Sequence, residues 1–286
     1  VADYVSTRQV GQARVTAIRD AEDRWVPRWQ VPEAEWRRAF PEADARGELI
    51  SDMNVFHIAL GDASVLIDTG FGDAPETYLR RAPHWRSPGT VAGLATIGVR
   101  PEDVTHVLFT HAHFDHILGA TLGGDARTAR FPRARHLINR ADLAVDEARE
   151  GGRSPQREQF GALERLGLLD LVNGDVAVAP GIDLLYAPGE SPGHSVVRVR
   201  SAGATFMCLG DLFHFAAEVE HLDWLIAGRD PETLPQSRRR FVDEAVASDA
   251  LLVFSHSPFP CWGRIVRDDA GQRWIDDTST LPERGV

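Results

Sequence analysis

The stretch Val104-Thr105-His106-Val107-Leu108-Phe109-Thr110-His111-Ala112-His113-Phe114-Asp115-His116 reads as a buried strand that runs straight into a cluster of imidazoles and a carboxylate. The apolar run after Pro101 has the length and content of a strand, and it feeds four good metal ligands placed within six positions. In an extended chain residues i and i+2 point to one side, so His111 and His113 can share one ion. A following turn redirects Asp115 and His116 to a second. A helical reading with ligands at i and i+4 would make His111 and Asp115 the pair, and it fails because the preceding run reads as strand. With 11 histidines in 286 residues, so dense a cluster points to a borderline divalent ion.

Outward from this centre, Asn54–Leu60, a Gly61-Asp62 turn and Val65–Asp68 form a hairpin signal. Further strands are expected at 13–19, 134–138, 182–187, 195–200, 204–209 and 250–254. Helical spacing marks 140–150, 155–166 and 232–248. Strand runs broken by single helices suggest an α+β chain: two mixed sheets face to face, covered by helices. No repeat, low-complexity segment or linker interrupts residues 1–286, so one domain is the simplest reading. Residues 1–50 include an extension packed on the body: within 20–50, Trp25, Trp29 and Trp36 alternate with Pro27, Pro32 and Pro41. Such an aromatic group is either core, a pocket wall or the contact of a homodimer.

Composition excludes several functions. The formal charge of -11 disfavours a nucleic-acid partner, although a metal pair adds local positive charge that the sequence sum omits. The chain contains no lysine, which rules out Schiff-base and lysine-nucleophile chemistry. No stretch approaches the roughly 18 apolar residues of a membrane span, so no membrane partner is expected. Cys208 and Cys261 cannot build a disulfide framework and are read as free thiols in a cytoplasmic, reducing setting. Cys261 is either a small buried residue or part of the pocket lining.

A second set of ligand types stands at the ends of other strands or in turns: His194 in Pro188-Gly189-Glu190-Ser191-Pro192-Gly193-His194, Asp211 after Phe206–Gly210, and His256 after Leu251–Ser255. With these in view, His111-x-His113-x-Asp115-His116 followed by His194, Asp211 and His256 resembles the signature of the metallo-β-lactamase-fold superfamily. The resemblance implies a four-layer αββα sandwich with two divalent ions at one edge of the sheets. It implies that His111, His113 and His194 bind one ion, that Asp115, His116 and His256 bind the other, and that Asp211 bridges them. It also implies that Asp68 orients a ligand histidine from behind, where a plain turn acid before Gly70 is the alternative. Zinc is the expected metal, with iron, manganese and cobalt also suited to the donors.

Two ions about 3.5–4 Å apart hold a bridging hydroxide at neutral pH, so no side-chain nucleophile is required, and Asp115 can carry the proton. Within the superfamily, Thr110–Gly119, Phe131–His136 and Ser255–Pro260 look most like the lactonase, esterase and organophosphate hydrolase branch. The expected activity is thus hydrolysis of small lactones or esters in the manner of acyl-homoserine lactonases, with phosphotriesters as a side activity. Two positions depart from the branch. His214 stands where such lactonases often carry a tyrosine, and is either the replacement donor to the substrate oxygen or a structural histidine. Glu190 stands where many relatives carry a non-ligand histidine. The competing readings are a glutathione thioesterase, a β-lactam hydrolase, a tRNA nuclease, an oxygen-using single-iron enzyme and a non-catalytic metal-stabilised binding protein. His57, His84, His106, His136 and His221 are assigned to structure.

Overall fold

The computed structural model describes residues 3–72, 86, 88–123, 127–147 and 154–277. The chain opens with β1 (Val5–Val10) and β2 (Ala13–Trp25), then α1 (Glu33–Ala39), β3 (Leu49–Leu60) and β4 (Ala63–Ile67). Next come α2 (Thr90–Thr96), β5 (His106–Leu108), the single-turn α3 (Phe114–Ile117), β6 (Thr121–Leu122), β7 (Thr128–Ala129) and β8 (Arg135–Asn139). Helices α4 (Arg140–Glu147) and α5 (Pro155–Arg165) lead into β9 (Leu169–Val172). The second half runs β10 (Val176–Ala179), β11 (Ile182–Tyr186), β12 (Ser195–Ser201), β13 (Ala204–Cys208), α6 (Thr233–Ser248), β14 (Leu251–Val253), β15 (Gly263–Asp268) and β16 (Gly271–Asp276).

Two seven-stranded sheets result, one ordered β1-β2-β3-β4-β5-β8-β9 and the other β10-β11-β12-β13-β14-β15-β16. The period-two alternation of the sequence sorts each strand between two environments. Val15, Ala17, Phe56, Ile58, Val65, Ile67 and Leu108 of the first sheet meet Leu184, Val197, Val199, Phe206, Cys208 and Val253 of the second in one buried cluster. The alternate residues Ile18, Val55, Leu66, Val107 and Phe109 turn outward and bury Leu94 of α2, Ile117 of α3 and Phe160 and Leu163 of α5. On the far side Val196, Met207 and Leu252 bury Leu234, Phe241, Val242 and Ala245 of α6. The order of layers is helix, sheet, sheet, helix, as the resemblance implied.

Both sheets are mixed. Strands β4, β5, β8 and β9 run parallel, as do β13 and β14. Parallel neighbours end at the same edge, so the loops after β4, β5, β13 and β14 open together, carrying Asp68, His111–His116, Asp211 and His256. His194 joins them because β12 is antiparallel to β13 and begins where β13 ends, Val197 pairing with Cys208.

The expected N-terminal extension needs correction in its extent. Residues up to Trp25 continue β2, which pairs with β3 from Arg14↔Ala59 to Trp25↔Leu49 through an irregularity between Arg19 and Ala21. The polar letters of Asp20-Ala21-Glu22-Asp23-Arg24 hide this strand because its end serves the site edge rather than the inter-sheet core. Only the stretch from there to β3 is an appendage; its Trp29, Trp36 and Phe40 bury against Leu49, Phe215, Trp224 and Ile226. Most of the other expected elements fall within two residues of their positions, but β3 begins at Leu49, five residues before the expected run, and β1, α1, α2, β15 and β16 were not anticipated. Residues 148–150 of the expected third-quarter helix, and His84, lie outside the described residues.

Candidate metal centre

The site is built from strand ends. Asp68 leaves β4 in the left-handed region (φ 59°), and its Oδ1 accepts the Thr110 amide at 2.8 Å while Oδ2 accepts the Thr110 hydroxyl at 2.8 Å. That pair of bonds locks the start of the histidine loop. The same Oδ2 stands 2.8 Å from His116 Nδ1, which makes Nδ1 the protonated nitrogen and turns the Nε2 lone pair inward. His194 and His256 are oriented alike: Nδ1 of His194 donates to the Ala187 carbonyl (3.2 Å) and Nδ1 of His256 to the Asp52 carbonyl (3.2 Å). Gly210, at φ +56°, lets β13 turn into Asp211, and a Cβ there would meet His194 Nε2 at 2.6 Å.

Asp211 is the centre of the arrangement. Its Oδ2 lies 3.1 Å from His256 Nε2 and 3.7 Å from His111 Nε2, and its Oδ1 lies 3.5 Å from His116 Nε2. Among the described residues three groups have donor atoms all within 4.8 Å of one another: His111, His113, Glu190 and Asp211; Asp115, His116 and His256; and Asp211, His214 and His256. The histidine loop is split between two adjacent groups, because α3 begins at Phe114 and swings Asp115 and His116 away from His111 and His113.

Two placements were not anticipated. His194 Nε2 accepts the Asp211 amide at 3.1 Å, and His194 is absent from the three donor groups. Glu190 is present instead, its Oε1 3.1 Å from His113 Nδ1 and 3.7 Å from His111 Nε2. The sequence signal for Glu190 was only its departure from the turn pattern. Asp142, at the start of α4, was missed altogether: Oδ2 accepts the Ala112 amide (2.7 Å) and Oδ1 the Gly193 amide (2.5 Å), tying the loop of His111 and His113 to the turn of Glu190 and His194. A second missed acid, Glu218, is fully buried and accepts the His214 amide (2.6 Å), the Phe215 amide (3.0 Å) and the Trp29 indole (2.8 Å).

His214 packs parallel to His256, with ring centroids 5.3 Å apart and 10° between planes. Its Nε2 is 3.4 Å from Asp211 Oδ2. Of the histidines assigned to structure, His57 bonds Ser64 (2.9 Å) and His106 bonds Thr105 (2.9 Å). His136 lies against Phe109, and His221 stacks on Trp224. Cys208 and Cys261 are free and buried.

The electrostatics suit cations. Burial alone would raise the Asp211 carboxyl, but His256, His116 and His111 outweigh it and hold the group well below the usual carboxylate range. Burial, then the neighbouring imidazoles, pushes His111 well down. Burial opposes the proton on His116 too, yet Asp211, Asp68 and Asp115 raise it well above an ordinary imidazole. An ionised carboxylate among deprotonatable nitrogens is what divalent ions displace protons from. The buried atoms His116 Nε2 and Asp211 Oδ1 have no hydrogen-bond partner, a costly state that bound cations relieve. The residues thus fit two nitrogen- and oxygen-preferring metals.

Above the donors lies a cavity of ≈ 300 Å³ with His113, Asp115, Asp211, His214 and His256 on its floor and Trp25, Met53, Phe71 and Phe114 among its walls.

The model of the Metallo-beta-lactamase superfamily matches residues 52–256. An N-acyl homoserine lactonase of Bacillus cereus is 27% identical over 163 residues, 57% of this chain and 60% of that protein. The Metallo-beta-lactamase domain-containing protein 1 of Homo sapiens is 29% identical over 187 residues, 64% of this chain and 58% of that one. The chain thus covers about 60% of the length of these curated relatives. Among solved structures, AidC, a dizinc quorum-quenching lactonase in complex with a product, superposes with a TM-score of 0.78 at 20% identity, over 98% of this chain and 100% of that one. The hydrolase AbOPH superposes at 0.80 with 19% identity, over 98% and 100%. At such identities these structures speak for the fold.

Proposed function

Because the chain belongs to the metallo-beta-lactamase superfamily, we propose that it is a two-metal hydrolase of small, uncharged lactones or esters. The observation that carries this reading is the placement of Asp211 between the His111/His113 group and the His116/His256 group, at the floor of a cavity walled by Trp25, Met53, Phe71 and Phe114 together with Asp23, Arg24, Ser51 and Arg229. Similarity to N-acyl homoserine lactonases supports lactones as the substrate class.

His111 and His113 would hold one ion, which His194 would join only by releasing the Asp211 amide that its Nε2 accepts, while Asp115, His116 and His256 would hold the second and Asp211 would be shared. Zinc is the metal we propose, with iron, manganese or cobalt as alternatives of the same donor preference. When bound, such a pair supplies Lewis acidity and lowers the pKa of water towards neutrality.

The remaining chemistry belongs to the chain. Asp68 fixes the tautomer of His116 and so aims its Nε2 at Asp211. Asp115 lines the cavity and would carry a proton from the attacking water to the leaving oxygen. His214, on the same floor, donates to the oxygen on which charge develops. Trp25, Met53, Phe71 and Phe114 exclude water and receive the apolar part of the substrate. An aryl phosphotriester, compact and uncharged, fits the same requirements as a side substrate.

The test is turnover of lactones, aryl esters, thioesters, phosphotriesters and a β-lactam by protein of measured metal content. Lactone or ester hydrolysis is expected to exceed the rest and to vanish on chelation. Predominant thioester or β-lactam turnover would overturn the substrate class while leaving the two-metal hydrolase, and undiminished turnover by metal-free protein would remove both. Stoichiometric metal without any turnover would favour a metal-stabilised binding protein.

A further inference from the structure

Glu190 sits in the turn between β11 and β12, and that turn is fixed from several sides. The Ala187 amide bonds the His194 carbonyl (2.8 Å), the Gly189 amide bonds the Ser191 carbonyl (3.0 Å) and the Asp230 amide bonds the Gly189 carbonyl (2.9 Å). Its carboxylate has no solvent exposure. Oε2 faces the Nε of Arg229, an ion pair that neutralises the buried charge. Oε1 is turned the other way, to His113 Nδ1 and His111 Nε2. A plain buried salt bridge would gain most by giving both oxygens to the guanidinium fork. Here one oxygen is kept for the imidazoles.

The spacing of the donors is the second observation. Four ligands at about 2.0–2.1 Å from a tetrahedral ion stand about 3.3 Å from one another. The separations are 2.8 Å for His111 Nε2 to His113 Nδ1, 3.1 Å for His113 Nδ1 to Glu190 Oε1, and 3.7 Å for His111 Nε2 to both Glu190 Oε1 and Asp211 Oδ2. These bracket the edge of such a polyhedron. His194 Nε2 is meanwhile engaged by the Asp211 amide.

We infer that Glu190 is a direct ligand of the first ion, held in place by Arg229. The inference rests on the two-metal reading above and deepens it. A second carboxylate at this ion makes the site richer in oxygen, which moves its preference from zinc towards manganese or ferrous iron. Arg229 takes the role that a hydrogen-bonding partner plays behind any metal ligand: it orients the carboxylate and offsets its charge.

The test uses the full chain loaded with Co²⁺, comparing wild type with Glu190→Gln, an isosteric change that removes the charge. Affinity for each of the two ions is read by chelator competition and coordination number by the visible d–d absorption. One Co²⁺ is expected to bind at least about 10-fold more weakly in the variant, with a changed d–d spectrum, while the other stays within about twofold. Two affinities and a spectrum identical to wild type would overturn the inference and leave Glu190 as the partner of Arg229 alone, with the two-metal reading intact. A wild type that takes up no Co²⁺ would overturn both. If the variant does not fold, crystals of Mn²⁺-loaded wild type decide the matter: Glu190 Oε1 at about 2.0–2.3 Å from an ion supports direct ligation, and an oxygen beyond about 3 Å overturns it.

Discussion

Asp211 touches both donor groups: Oδ2 lies between His111 of the first and His256 of the second, while Oδ1 faces His116 of the second. Asp211→Ala should therefore weaken both ions, whereas His256→Ala should lower mainly the second; metal analysis after dialysis checks this, and equal retention in both variants contradicts it. His214 is near enough to Asp211 and His256 to act on metal as well as on substrate. As an oxyanion donor, His214→Ala should lower kcat by about 10²-fold with metal content intact. Metal loss in that variant would make His214 a ligand instead. The histidine loop was legible in the sequence because clustered imidazoles beside a carboxylate have few other uses. Glu190 was not, because its meaning depends on Arg229 and His113, which only the folded chain brings to it.

Among elements, the strand ends matter more than the strands. Asp142 opens α4, yet its two oxygens hold the amides of Ala112 and Gly193, one from the loop after β5 and one from the loop before β12. Asp142→Ala leaves two buried amides without partners, at about 1–3 kcal/mol each. It should lower the melting temperature by several degrees and metal affinity by about 10- to 100-fold. Unchanged metal affinity would reduce Asp142 to a local cap. The core strands and α6 were readable from period-two and helical spacing. The distal half of β2 was not: Asp20 there is buried and accepts the amides of Phe71 and Thr90 (2.9 and 2.7 Å). A polar strand that stitches loops together carries no alternation to read. The parallel pairing of β4 with β5 and of β13 with β14, which makes the site edge, likewise has no local signal, since it joins segments far apart in the chain.

At the scale of the whole molecule, two buried histidines away from the metal centre set a response to acid. Burial, with some help from Arg14, pushes His57 down to about 4, and burial likewise brings His136 down to about 4. The unfolded chain takes up these protons below the ordinary value of about 6.5, whereas the folded chain resists until about 4. Their contribution to stability is complete above pH 6.5 and is lost as pH falls through that window. Each should remove about 2 kcal/mol between pH 7 and pH 5. Urea unfolding of metal-free protein should show the loss, and His136→Leu should shrink it by about 2 kcal/mol; an unchanged pH dependence would refute the assignment. One architectural feature reaches further. The donors around Asp211 come from both halves of the sandwich, His111, His113 and His116 from the first sheet and His256 with Asp211 from the second. An ion gripped from two sides would act as a reversible cross-link between segments distant in sequence, so its release is expected to speed up when the seam between the halves loosens. Metal exchange then becomes a clock for that loosening, read as the rate of escape from the holoprotein into excess chelator. Its rate should speed up with any substitution that loosens the inter-sheet core, even one far from every ligand.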